Sequence, residues 1–320
     1  MHDLDRDTSE WDQLWGFGRE NALRSGVAAN DHLEKFWITA VPSQNVVPNV
    51  LDIACGNGVL ARYIDQSEFI QRSGGEYTGV DSAQIKPPNS SSFKFLKPTF
   101  CSNRNIEDVQ FNSDQFNVVI SQFGFEYCEK ETTIALIARW LRADGHVVFV
   151  AHSETSAITL ESKQILEQLR ILEESALIPL LYRLFERLEA MYLSNEARDE
   201  RADFLRQRVN ATCSNLEEIA GYLHESRFLI ATMGLLLSLL APERAHIPPS
   251  IRKENLYKLS TNLQHQQTRL KQQFECALSE KDIAFMKTMW ADHKFADICF
   301  ETLVRDDEDL GVVLRARKLA

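Results

Sequence analysis

The residues with the most chemical content lie in Val50-Leu51-Asp52-Ile53-Ala54-Cys55-Gly56-Asn57-Gly58-Val59-Leu60-Ala61, which runs from an apolar strand through a glycine turn into a helix. Glycines there let a ligand approach the backbone amides at the helix start, where a side chain would stand in the way. Gly56, Gly58 and Ala61 satisfy the loose dinucleotide pattern GxGxxG/A, a weak signal when it stands alone. Asp52, four residues before Gly56, shifts the balance, because an acid beside the turn repels a pyrophosphate and attracts a cation. A second acid, Asp81, ends the run Tyr77-Thr78-Gly79-Val80-Asp81 and stands 23 residues after Gly58, where a carboxylate accepts from both hydroxyls of a ribose. Asp81 thus supports a nucleoside ligand without choosing which. His152 is the first candidate for a general base, because an imidazole titrates near neutrality; Glu126 and Tyr127 are the second.

S-adenosylmethionine carries an ammonium and a sulfonium in place of a pyrophosphate, so its charge suits Asp52. The sequence here resembles the class I methyltransferase family, whose first motif is an acid followed by GxG after the first strand, matched by Asp52, Gly56 and Gly58. Asn105-Ile106-Glu107-Asp108-Val109-Gln110-Phe111 is similar to the family's adenine-binding loop, but with Asn105 at the acid position and Gln110 at the proline. An Asn carbonyl still accepts from an exocyclic amine, and Glu107 or Asp108 could substitute for it. Phe116 to Tyr127 resembles the fourth strand and the loop that closes over the methyl group. Leu141 to Val150 resembles the turn into strand five. Ser279 to Phe295 resembles the helix before strand six.

The resemblance covers about 45–158 and 279–320. It implies S-adenosyl-L-methionine as cofactor, held by Asp52, Ala54, Cys55, Gly56, Gly58, Asp81, Ser82, Asn105, Ile106, Glu107, Ser121, Gln122 and Phe123, with no metal. Methyl transfer is an in-line displacement on an activated sulfonium, so few catalytic side chains are obligatory and alignment dominates.

Short apolar runs place strands near 48–54, 76–81, 93–96, 116–121 and 146–151, separated by helical or turn stretches. From about Ile158 to Leu278 strand signals vanish and leucines recur at three- and four-residue spacing. Helices are expected at 158–173, at 175–193, after the cap-like Ser214, at 228–241 and over 250–278. The runs FADICFETLV and LGVVLRARK flank an acidic turn, so 296–318 reads as a hairpin. The expected fold is α/β: a doubly wound, mostly parallel seven-stranded sheet with an antiparallel C-terminal strand and a large α-helical insertion between strands five and six. Residues 1–44 form an N-terminal helical segment over the cofactor cleft, in which Trp11, Trp15, Phe17, Phe36 and Trp37 wall an acceptor pocket or pack on the core. Residues 45–157 and 279–320 form the core, and 158–278 the insertion, which serves as lid, acceptor site or oligomerisation surface through which two copies could pair.

The chain has 320 residues, 44% of them hydrophobic, enough for a real core, and a formal net charge of -11 that disfavours a nucleic-acid partner. Its six cysteines form no CxxC pair, which argues for reduced thiols and a cytoplasmic location rather than zinc or disulfides. The acidic N-terminus does not read as a signal peptide, and the apolar run Phe228 to Ala241 is shorter than the roughly 20 residues of a membrane span. The inserted helices suggest a small-molecule acceptor with hydrophobic character. Two alternatives stay open: an NAD(P)-dependent oxidoreductase, disfavoured by Asp52 and the terminal hairpin, and a methyltransferase-like scaffold that works through its helices.

Overall fold

A computed structural model describes residues 9–16, 27–42 and 46–320. Phe17, one of the expected pocket aromatics, lies outside the described residues. The chain divides into two compact units, 1–160 with 272–320, and 161–271.

The first unit is built on seven strands: β1 (Asn49–Ile53), β2 (Gly75–Val80), β3 (Leu96–Cys101), β4 (Phe116–Gln122), β5 (Leu141–Ala151), β6 (Phe295–Arg305) and β7 (Glu308–Lys318). They form one sheet in the order β3-β2-β1-β4-β5-β7-β6, in which β7 runs antiparallel to both of its neighbours. The helices of this unit are α1 (Ser9–Gly16), α2 (Val27–Ala40), α3 (Val59–Asp65), α4 (Glu68–Ser73), α5 (Lys130–Trp140), the first residues of α6 (Ala157–Glu174), the last of α10 (Pro249–Cys276) and α11 (Glu280–Asp292).

The strands are apolar on both faces because both faces are covered. Val50, Val118, Ile120, Val148 and Val150 pack with Leu33 and Trp37 of α2, Leu60 and Ile64 of α3 and Ile70 of α4. Their neighbours in sequence, Leu51, Val119, Val147 and Phe149, point the other way onto Ile134, Ile137 and Trp140 of α5 and Met286 and Trp290 of α11. Each such side chain contributes about 1.5–3 kcal/mol of burial. α11 starts with a capping box in which Ser279 and Asp282 bond each other's backbone amides.

Two strand expectations need correction. The third strand lies at 96–101 rather than 93–96. Lys97 and Pro98 hide it in the sequence, and Pro98 is tolerated because β3 is an edge strand. The fifth begins at Leu141, five residues earlier than expected, across an irregularity in its pairing with β4.

The second unit holds most of α6, α7 (Leu177–Ser194), α8 (Glu200–Tyr222), α9 (Arg227–Ser238) and α10 up to residue 271. Its core gathers Leu177, Leu181, Leu184, Phe185, Val209, Leu216, Leu229, Leu236 and Leu256. Ser214 is no helix cap: it sits inside α8, whose N-cap is Asp199, accepting from the Ala202 amide at 2.7 Å. No described helix is long and apolar enough to cross a membrane.

Candidate active site

The turn between β1 and α3 is left-handed at three positions, Ala54, Gly56 and Gly58, with φ of 56°, 52° and 78°. It is tied down where Cys55 donates to the Val80 carbonyl (3.1 Å) and Gly58 to that of Cys55 (3.0 Å). A Cβ on Gly58 would stand 2.7 Å from the Phe100 ring, and one on Gly56 would stand 2.8 Å from the Trp15 indole. Glycine is therefore favoured at both positions by backbone angle and by neighbours.

Asp81, 7% exposed, buttresses the turn from the end of β2: its Oδ2 accepts from the Gly56 amide at 2.7 Å and its Oδ1 from the Ala83 amide at 2.9 Å. Burial outweighs these bonds and pushes its pKa up to about 6. Ser82 beside it is half-buried. Asp52 lies fully buried below the turn, where it accepts from the Tyr77 hydroxyl while Oδ1 has no partner. Burial raises its pKa well above the usual carboxylate range, against the Tyr77 bond and helped by Asp81. Burial first, then Asp81 and Asp52, keep the Cys55 thiol protonated.

Asn105 and Ile106 open a short 3₁₀ turn after β3. Ile106 is buried, and the Asn105 side-chain nitrogen donates to Asp108 at 3.0 Å. Glu107 faces α5 instead, accepting from the Glu129 amide (2.8 Å) and the Thr133 hydroxyl (3.3 Å).

Ser121, at the end of β4, donates to the Ile53 carbonyl (2.8 Å) and accepts from the Phe125 amide (3.0 Å), linking the β4 loop to β1. Gln122 accepts from Trp37 at 2.7 Å. Phe123, at φ 54°, stacks on His152 with ring centres 4.3 Å apart. Glu126 is 1% exposed. Its Oε1 accepts from the His152 amide at 2.7 Å and its Oε2 has no partner. His152 is 4% exposed and its Nδ1 is likewise unpartnered. Burial pushes Glu126 up to about 7 and His152 down to about 3. The reason for placing His152 first as a base therefore passes to Glu126.

The Tyr127 hydroxyl is held protonated, chiefly by burial, and its ring meets Trp11 edge-on at 5.8 Å. Trp11 donates to Gln272 (2.8 Å), which donates to Glu10 (2.5 Å), while Asn57 donates to the Trp15 carbonyl (3.1 Å). Helix α1 thus lies against the glycine turn. Tyr77, Gly124 and Gln272 escaped the sequence reading. Gly124 is needed because a Cβ there would collide with that of Ala54, and neither motif spacing nor periodicity signals such a contact.

The site therefore gathers a glycine turn, three buried carboxylates and a buried imidazole at the carboxyl ends of β1, β2, β4 and β5, where open α/β sheets bind ligands. Residues 51–149 match the family model of the methyltransferase domain. The match covers 99 of the 320 residues. The matched span holds every predicted site residue except His152. No curated protein matches the chain. Among solved structures, a chain of the Haloferax volcanii complex that contains the Trm112 methyltransferase activator is 20% identical over 45% of this chain and 61% of its own, with a TM-score of 0.36. The geranyl diphosphate C-methyltransferase of Streptomyces coelicolor is 14% identical over 38% and 46%, with a TM-score of 0.30. The CurJ carbon methyltransferase is 12% identical over 91% and 54%, with a TM-score of 0.40. The chain thus spans between 46% and 61% of the length of these proteins. Among the described residues, no group of three acids, histidines or cysteines is arranged to hold a metal ion.

Proposed function

We propose that this chain transfers the methyl group of S-adenosylmethionine to a small acceptor with hydrophobic surface. One observation carries the reading. Asp52 Oδ1, Glu126 Oε2 and His152 Nδ1 are buried without partners at the carboxyl ends of β1, β4 and β5, beside a left-handed glycine turn. Buried polar atoms without partners are rare in folded chains and mark places where a ligand completes the bonding.

The residues present fit the cofactor. The Asp81 oxygens each accept one amide and retain capacity for ribose hydroxyls. The turn amides and Asp52 suit a charged amino-acid end, and Asn105 with Ile106 offers an acceptor and an apolar surface to adenine. When bound, S-adenosylmethionine supplies a methyl group already activated on a sulfonium. Glu126, near pKa 7, takes the proton that the acceptor loses. Burial keeps His152 neutral, and stacked on Phe123 it presents Nδ1 to the acceptor. Trp11, Tyr127 and Phe123 supply the apolar walls that exclude water.

Isothermal titration with S-adenosylmethionine, S-adenosylhomocysteine and NAD tests the reading. Both sulfur nucleosides are expected to bind and NAD is not. Uptake of NAD with indifference to the nucleosides overturns it.

A further inference from the structure

The helical unit buries a cation that its own residues do not neutralise. Arg252, in the first turn of α10, is 8% exposed. Its Nη1 reaches a single acceptor, the Leu239 carbonyl, at a long 3.4 Å, and its guanidinium carbon lies 5.6 Å from the centre of the Phe185 ring. Its Nε is buried with no acceptor. The charge that acts on it is another cation, Arg206, which reaches Asp203 at 3.4 Å. Arg170, Arg187 and Arg227 of the same unit each have a carboxylate partner at 3.0 Å or closer, and all three are more exposed. The buried arginine lacks the carboxylate partner that these three possess.

A guanidinium does not shed its proton to escape burial, so the charge persists and desolvation works against the ligand-free fold. Stacking on Phe185 and one long bond to a carbonyl do not replace a counter-ion. The first turn of a long helix adds a further positive contribution at the same place. The Nε edge of the fork has the spacing of two oxygens of a carboxylate or phosphate. Phe185 and Leu239, which the guanidinium touches, are buried and apolar.

We propose that Arg252 anchors an oxyanion site in the helical unit, taking the carboxylate or phosphate head of a small amphipathic molecule, with Arg206 adding a second positive charge. The site lies within residues 161–271 and stands independently of methyl transfer.

The test uses the full chain, with sodium decanoate and inorganic phosphate as probes and decanol as the uncharged control, read by titration calorimetry and thermal melting. Decanoate, phosphate or both are expected to bind and raise the melting temperature, while decanol does not. Binding of decanoate alone identifies a carboxylate with an apolar tail; binding of phosphate alone identifies a phosphate ester. Arg252→Met is expected to abolish binding of both anions while keeping the helical circular dichroism of the wild type. Should Arg252→Met fail to fold, the exposed Arg206→Gln decides, with an affinity weakened about threefold expected from loss of one screened charge. The proposal is overturned if wild type binds neither anion, if decanol binds as tightly as a bound decanoate, if Arg252→Met binds as wild type does, or if Arg206→Gln binds undiminished.

Discussion

Burial separates two groups that stand side by side. Glu126 titrates near 7 and His152 near 3, both chiefly through desolvation. In the folded state Glu126 holds its proton from its ordinary 4.5 up to about 7, so stability is lost as pH rises through that window. Glu126→Gln should therefore gain stability over wild type progressively from pH 4.5 to 7, by on the order of 3 kcal/mol at most, in urea denaturation at several pH values. A constant difference across that range would remove the basis for Glu126 as a poised base. Asp81, raised to about 6, must be ionised to accept two ribose hydroxyls. The Kd for S-adenosylhomocysteine should accordingly rise about tenfold per pH unit below 6, and Asp81→Asn should bind weakly with no such slope. The residue types at these positions were readable from the motifs. Their order of basicity was not, because it depends on which side chains the fold dehydrates.

Between residues and molecule, the β1–α3 turn offers two substitutions of opposite sign. Ala54 adopts a left-handed angle that costs a side chain about 1–2 kcal/mol, so Ala54→Gly should stabilise by up to about 1 kcal/mol once glycine's extra unfolded-state freedom is subtracted. Gly58→Ala meets Phe100 at 2.7 Å and a φ of 78°, and should cost about 1–3 kcal/mol while weakening nucleoside binding. Chemical denaturation of both variants checks the pair; shifts in the same direction would mean that the turn relaxes freely. Strands flanked by apolar runs on both sides, such as β1 and β4, were legible within a residue or two. β3 was not, since an edge strand is free to carry Lys97 and Pro98. Ser214 misled because a serine that caps a helix and one carried inside α8 look alike until backbone angles are known.

At the scale of the whole chain, the helical excursion and the return to the sheet were both visible, as leucine spacing and as a terminal hairpin. The counter-ion deficit at Arg252 was not, since it arises from three helices that are distant in sequence. The second unit closes its own core, from Leu177 to Leu256, so a fragment of residues 161–271 is expected to show helical circular dichroism and a cooperative melt. A gradual, baseline-like loss of signal would show that this core needs the rest of the chain. The antiparallel β7 has a consequence for synthesis. It is the partner of β5 in the sheet, pairing Val148 with Arg315 and Val150 with Val313, yet the ribosome delivers it only after every inserted helix. Until then one edge of a nascent five-stranded sheet stands open to any extended peptide nearby, and the long closure that ends this exposure makes chaperone capture and aggregation compete with folding late in translation.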